Sequence, residues 1–446
     1  MFNLPKSGAT GEWIYDRCCQ RLDDGWLVGT DGKAVIDRAE QILAACTIER
    51  PHFTSIATSD PLEFIAMLMA GCKLNLPIFL ANPGWGTFER EQVSKLTTLD
   101  LTQHQQLIMI PTGGSSGIIK FATHSWETLS ATVRGFQEFY ELEHINTVCT
   151  LPLYHVSGLM QLCRSLLTGG KLAIVDFHEL CANPVILTKQ LELEHYFISL
   201  VPTQLAKLLA LNSAWLARFD TILLGGAPPS SELLNSARIA RLPIALTYGM
   251  TETGSQVTSL KPAEFLAGNR SCGKALPHAK IGIKSDSKLT NNTPQSDRVG
   301  SIQIQATSLM FGYFPDLDRQ FEFESDDIGT IDKDGYLTIV DRNSSKIISG
   351  GENIYPIEVV EVIMATGLVA DVWVVGLSDC YWGQAVTAVY VARELPVSAA
   401  ILSAAIAGKI SKYKLPKYWV SVDRIPRNSL GKVLTNEVEN LARAAR

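Results

Sequence analysis

Residues Thr112 to Lys120 read "TGGSSGIIK". Gly113, Gly114 and Gly117 let backbone N–H groups converge on an anion. Thr112, Ser115 and Ser116 add hydroxyl donors, and Lys120 adds a mobile positive charge. That is the chemistry of a phosphate cradle, although it is not the common G-x-x-x-x-G-K-[ST] loop, because Phe121 follows the lysine. A second group, "YGMTETG" from Tyr248 to Gly254, follows a strand-like run. Glu252 offers a hard oxygen ligand for Mg²⁺, Thr251 a phosphate hydrogen bond, and Tyr248 a flat face for a base. Further along, Asp327 precedes a hairpin signal and Arg342 follows it. A carboxylate there can accept from both hydroxyls of a ribose, and an arginine can fork onto hydroxyls or phosphate. "IPRNSLGKVL" lifts Lys432 on a glycine turn, and His155 sits at the end of the strand-like "LPLYH".

Each motif by itself has a plain structural alternative. A glycine loop is also a surface turn, Glu252 a solvated strand-end residue, and Asp327 with Arg342 an ordinary surface pair. Lys432 can be a solvated lysine and His155 a structural histidine.

The elements that position these residues follow from hydrophobic periodicity. "SIATSDPLEFIAMLMAGCKLNLPIFL" reads strand, proline-initiated helix, strand. "TVCTLPL", "KLAIVDF", "YFISLVP", "TILLGG" and "PIALTYG" are short apolar strands, and helical stretches lie between them, such as Trp126 to Tyr140 and Pro202 to Leu211. Alternating strands and helices predict an α/β fold with parallel sheet covered on both faces. Ligands in such folds collect beyond the carboxyl ends of strands, which is where "TILLGGA" and "IALTYGMTETG" end. After about Gly254 the texture changes. "AKIGIKS" and "GSIQIQA" alternate like exposed strands, and Asp334-Gly335 marks a hairpin turn. We expect a large N-terminal domain over 1–342, with mixed sheets layered by helices, and a small mobile C-terminal α+β domain over 343–446.

Bulk properties exclude several classes. The 446 residues, 46% of them hydrophobic, suffice for more than one domain core. A net charge of −6 with scattered lysine and arginine gives no nucleic-acid face. The nine cysteines form no C-x-x-C pair, so buried small hydrophobes are expected rather than zinc or disulfides. No signal peptide is evident and no apolar run approaches the roughly 18 residues of a membrane span, so a cytoplasmic setting is expected.

Five segments, "TGGSSGIIK", "LLGGA", "YGMTETG", "DDIGTIDKDGYLTIVDR" with "GGENIYPIEVVE", and "NSLGK", stand in this order over most of the chain. Together they resemble the acyl-adenylate-forming enzymes: acyl- and aryl-CoA ligases, firefly luciferase and peptide-synthetase adenylation domains. "LPLYHVSGLMQL", "LLGGAPP" and "LTYGMTETGSQV" look like the branch that activates an aromatic carboxylate in quinone biosynthesis. The resemblance implies ATP, Mg²⁺ and coenzyme A as cofactor and co-substrates, a small aromatic acid as substrate, and sometimes a homodimer. It places Gly225, Gly226 and Ala227 along adenine, Tyr248 and Gly249 against the base, and Thr251 on phosphate. It also implies Glu252 on Mg²⁺, Asp327 and Arg342 on ribose, and Lys120 on the leaving phosphates. Lys432 would serve adenylation, Gly350 and Gly351 the pantetheine channel, and His155 the acyl group.

A second carboxylate on the acid would need donors, for which His155, Ser157, Thr203, Thr253 and Ser255 are candidates. A hinge is implied near Arg342 to Lys346, where Ser345 stands at the position usually taken by Asp or Lys. The phosphate loop also departs from the family's Pro-Lys-Gly, reading Ile119-Lys120-Phe121. Other fatty-acyl or aryl ligases, an enzyme loading a carrier protein, and a non-catalytic nucleotide sensor remain alternatives at this point.

Overall fold

The structure is a computed structural model, and it describes residues 9–85, 87–97, 99, 106–113, 119–184, 191–284, 299–342, 347–349, 352–354, 356–379, 382–393, 397–410, 412–428 and 431–445. It forms two compact units: Met1–Ile281 with Ile304–Phe323, and Gly282–Gln303 with Glu324–Arg446.

In the first unit, the expected strand–helix–strand segment is Thr54–Ile56, Pro61–Lys73 and Ile78–Leu80, with the two strands parallel. Pro61 opens the helix, where its missing N–H costs nothing, and the Asp60 carboxylate accepts from Leu62 N–H. These strands continue into Leu107–Gly113, Ile119–Ser125 and Tyr313–Phe314, which complete a five-stranded sheet. The larger sheet runs Leu27–Val28, Leu172–Ile174, Asn146–Cys149, Tyr196–Leu200, Thr221–Leu224, Ile244–Met250, Ser255–Ser259, Lys274–Ala275. Its first six strands pair in parallel and the last two are antiparallel. All four residues of Thr221–Leu224 are buried, as a strand covered on both faces requires.

Two helices support the site. Trp126–Tyr140 has the boundaries the periodicity predicts, and Ser125 and Thr128 close its N-terminus as a reciprocal capping box. Val156–Thr168 is buried along nearly its whole length. The expected Pro202–Leu211 helix extends to Leu216 through a kink at Asn212, whose side-chain oxygen accepts from Trp215 N–H and restarts the helix.

The antiparallel hairpin Phe323–Ile331 and Leu337–Arg342 belongs to the second unit from Glu324 on, and Gly300–Ala306 and Ala279–Lys284 complete its four-stranded sheet. Asp332 Oδ1 accepts from the N–H groups of Asp334 and Tyr336, and Gly335 takes a φ of 86°, which explains the Asp-Gly turn. Compactness thus groups this hairpin with the C-terminal residues.

A further sheet pairs Val369–Asp379 with Gly383–Ala392, and Ile347–Ser349, Glu352–Ile354 and Tyr418–Ser421 join it. Strand alternation sends Val372 and Val374 to a core with Val359, Ile363, Leu402 and Ile406. Val375, Leu377 and Val389 face a separate core with Val438 and Ala442 of the Thr435–Ala444 helix. Helices therefore cover both faces. Among the described residues no helix is long and apolar enough to cross a membrane.

Candidate active site

The strands Leu107–Gly113 and Ile119–Ser125 are antiparallel and place Thr112 directly opposite Lys120. They bring the two ends of the phosphate-loop motif together. Gly114, Ser115, Ser116 and Gly117 lie outside the described residues.

Strand Ile244–Met250 delivers Tyr248, Gly249 and the short Thr251–Thr253 helical turn beyond its carboxyl end. Backbone and buried hydroxyl groups hold this turn. Thr253 Oγ1 receives Met250 N–H at 3.1 Å and lies 2.6 Å from the Ser255 carbonyl. Ser308 Oγ donates to the Thr253 carbonyl at 2.8 Å, and Met310 N–H donates to the Glu252 carbonyl at 2.9 Å. Thr253 is fully buried, so its hydroxyl shapes the turn. Gly254, at φ 64°, ends it, and Ser255 follows at φ 101°. Tyr248 is buried. A Cβ at Gly249 would strike the Ser255 carbonyl and Gln256 Cα, so only glycine fits that crossing.

Glu252 is the meeting point. Its Oε1 accepts from the Tyr313 hydroxyl at 2.7 Å and from Thr112 Oγ1 at 3.3 Å. Among the described residues, neither bond falls on Oε2. Lys120 Nζ stands 5.1 Å from the centroid of the same Tyr313 ring, within cation–π range. Burial, reinforced by the Glu252 carboxylate, pushes the Tyr313 hydroxyl well up, so it stays protonated and donates. A buried carboxylate with one oxygen held by neutral donors and the other left over suits a hard divalent cation. Sequence reasoning passed over Tyr313, which lies 61 residues from Glu252; "MFGYFP" carries no chemical pattern by itself.

His124 is a second residue the sequence did not expose. It is fully buried; its Nε2–H donates to the Thr251 carbonyl at 2.8 Å, and Nδ1 lies 3.1 Å from Thr128 Oγ1. Burial lowers its pKa to about 4, with the Thr251 carbonyl opposing, so it is neutral and pins the turn.

Gly225 has no side chain to meet Thr247, whose Oγ1 would lie 2.6 Å from a Cβ there; Gly226 takes a φ of 81° and Ala227 is half-buried. His155 caps the Val156–Thr168 helix at backbone level, its ring 4.8 Å from that of Tyr154, and burial lowers its pKa. Ser157 and Thr203 are exposed in the first turns of their helices.

The Val156–Thr168 helix also carries a buried cation that its sequence pattern does not single out. Arg164 packs its guanidinium 4.3 Å from the Phe136 ring centroid, and Nη2 donates to Gln256 Oε1 at 3.1 Å. Its Nε, Gln256 Nε2 and both ring nitrogens of His278 are buried without a hydrogen-bond partner among the described residues. Burial lowers Arg164 to about 10, which leaves it charged at neutral pH. Burial and the Arg164 charge lower His278 to about 4, which leaves it neutral. No carboxylate among the described residues pairs with Arg164.

In the second unit, Asp327 is buried and stands in register directly opposite Arg342. Residues 343–346, including Ser345, and Gly350 and Gly351 lie outside the described residues. Lys432 is exposed on a turn that starts at Asn428. Asn428 Oδ1 accepts from Lys432 N–H at 2.9 Å, Asn428 N–H donates to the Lys432 carbonyl at 2.8 Å, and Gly431 supplies a φ of 79°. Arg427 donates from Nη1 to the Gly431 carbonyl and from Nη2 to both Asp371 oxygens, at 3.0 and 2.8 Å.

Residues 75–314 match the AMP-binding enzyme family, and 358–432 match the AMP-binding enzyme C-terminal domain. The 2-succinylbenzoate–CoA ligase of Bacillus licheniformis is 34% identical over 336 residues, which cover 73% of this chain and 67% of that one. The structure is similar to o-succinylbenzoate CoA synthetase from Bacillus subtilis in complex with its acyl-adenylate intermediate, with a TM-score of 0.80 and 25% identity over 95% of this chain and 97% of that one. The same Bacillus subtilis enzyme in complex with ATP and magnesium ion gives a TM-score of 0.81 at 25% identity, over 95% and 99% of the two chains.

Proposed function

The chain belongs to the AMP-binding enzyme family, and from that premise we propose that it activates 2-succinylbenzoate as an acyl-adenylate and transfers it to coenzyme A, in menaquinone or phylloquinone biosynthesis. The meeting of Thr112 and Tyr313 on Glu252, with Lys120 over the same Tyr313 ring, supports this reading: it sets a cation suited to phosphate near a carboxylate suited to Mg²⁺.

A carboxylate is a poor electrophile because its charge is delocalised. In the first half-reaction a substrate carboxylate oxygen attacks the α-phosphorus of ATP. The bond to the β-phosphate breaks and pyrophosphate leaves with the electron pair. The nucleophile belongs to the substrate, so the protein's task is positioning and charge neutralisation. Glu252 would hold Mg²⁺, which when bound offsets charge on the phosphates. Lys120, Thr112 and the Gly113, Gly114, Ser115, Ser116 and Gly117 backbone receive the leaving phosphates, and Thr251 faces phosphate. Gly225, Gly226, Ala227, Tyr248 and Gly249 line adenine, while Asp327 and Arg342 take the ribose. Lys432 bridges carboxylate and α-phosphate during adenylation. In the second half-reaction the thiol of coenzyme A attacks the acyl carbon and AMP leaves, with the thiol proton passing to solvent. Gly350 and Gly351 admit the pantetheine arm. The working division of the chain is 1–342 and 343–446, with the hinge at Arg342 to Lys346. A cytoplasmic setting and a homodimer belong to the same proposal.

The buried charge of Arg164 suits an acid with a second carboxylate, alongside His155, Ser157 and Ser255. The test measures pyrophosphate release with ATP and Mg²⁺ across 2-succinylbenzoate, benzoate, coumarate and medium-chain fatty acids, with and without coenzyme A. Selective turnover of 2-succinylbenzoate to its thioester is expected. Arg164→Lys should raise its KM about tenfold while leaving the KM for ATP within about twofold. Preference for an acid with a single carboxylate would overturn the substrate. Release of pyrophosphate with no thioester would point to carrier loading.

A further inference from the structure

We propose that Tyr313 is the positioning residue that couples the metal-binding carboxylate to the phosphate-binding lysine: its hydroxyl aims Glu252 and its ring face seats Lys120. This rests on the role given to Glu252 above.

The backbone around Tyr313 has little freedom. Tyr313 and Phe314 pair with Ala122 and Phe121 on the strand that carries Lys120. Phe311 N–H donates to the Thr123 carbonyl at 2.8 Å, and Thr123 N–H donates to the Gly312 carbonyl at 3.0 Å. A Cβ at Gly312 would lie 2.8 Å from the Asp316 carbonyl oxygen and from Asp318 N, so this residue must be glycine. Phe314 locks the next position by packing edge-on to Phe79, ring centroids 5.2 Å apart. Three residues upstream, Met310 N–H holds the Glu252 carbonyl. One short segment therefore grips both the backbone and the side chain of Glu252.

Direction matters as much as contact. The Tyr313 and Thr112 hydroxyls both donate to Oε1, which fixes the carboxylate plane and leaves Oε2 as the oxygen for a cation. Without the 2.7 Å bond from Tyr313, the 3.3 Å bond from Thr112 is the one left among the described residues to restrain rotation about the last side-chain torsion. The Tyr313 ring, 5.1 Å from Lys120 Nζ, holds the ammonium on the same side of the strand pair. Phosphate lysine and metal carboxylate are thereby spaced by one rigid aromatic side chain.

The two functions separate by substitution. Tyr313→Phe deletes the hydroxyl and keeps the ring; Tyr313→Leu deletes both. Calorimetric ATP binding is measured without acid substrate, in EDTA and across a Mg²⁺ titration, for the wild type, both variants and Glu252→Gln. For Tyr313→Phe we expect unchanged ATP affinity in EDTA and about tenfold loss of the Mg²⁺-dependent gain in affinity. Tyr313→Leu should in addition weaken ATP binding in EDTA by about threefold, through the loosened lysine. A Tyr313→Phe protein that keeps the full Mg²⁺-dependent gain while Glu252→Gln loses it would overturn the inference alone. A Glu252→Gln protein that also keeps the gain would overturn the metal role of Glu252. Tyr313→Phe is nearly isosteric, so it decides the question even if Tyr313→Leu fails to fold.

Discussion

Glu252 and Lys432 are held in opposite ways. Glu252 is buried, its backbone and carboxylate both gripped by residues 308–313, and His124 locks the turn from beneath. Lys432 is exposed, and its turn is braced at the base by the reciprocal Asn428 bonds and the Arg427–Asp371 pair. The first arrangement suits a group that must stay at one place through both half-reactions. The second suits a charge presented at the end of a stiff mount and needed for one of them. Preorganisation lies in the packing in the first region and in the turn in the second.

The sharpest way to break this comparison is Lys432→Ala. We expect acyl-adenylate formation to fall by about 10²-fold or more, with thioester formation from supplied acyl-adenylate nearly unchanged. Single-turnover assays of each half-reaction read this out, and equal loss in both would remove the contrast.

Next is pH. His124 and His278 both fall from 6.5 to about 4 on folding, through burial. The unfolded chain therefore binds more protons between those values, so their contribution is fully present above pH 6.5 and is lost as pH falls towards 4. Each contributes up to about 3 kcal/mol across that window. Urea unfolding at pH 7 and pH 5 should show the drop, and His124→Asn should roughly halve it, leaving the His278 share; an unchanged slope would mean that His124 is not held neutral by burial.

The smallest effect belongs to the exposed mount. Arg427 and Asp371 keep 36% and 34% of their side-chain surface exposed, so Asp371→Asn should cost only about 0.5 kcal/mol of stability. Adenylation should slow about threefold with the thioester step unaffected. A loss as large as that of Lys432→Ala would show that the mount is no mere support.

Much of the framework is legible along the chain because its signals are local. The Trp126–Tyr140 helix, the Thr54–Leu80 strand–helix–strand unit and the Asp334-Gly335 turn each follow from periodicity, capping and glycine within a few residues. Thr112, Lys120 and Glu252 stand out because their neighbours are glycine, serine and threonine after apolar strands. Tyr313, His124 and Arg164 do not stand out. A tyrosine in a strand, a histidine in a strand and an arginine in a helix match ordinary alternation or amphipathicity.

The sequence by itself thus determined the alternating α/β layers, the two terminal hairpin and turn motifs, and the residue types able to meet phosphate and metal, since all of these are written in short-range spacing. Only the tertiary structure decided that the Tyr313 hydroxyl reaches Glu252 across 61 residues and that Arg164 is buried against Phe136 and Gln256. Those facts depend on which strands become neighbours. Strand order is set by burial of the whole sheet, and no local pattern records it.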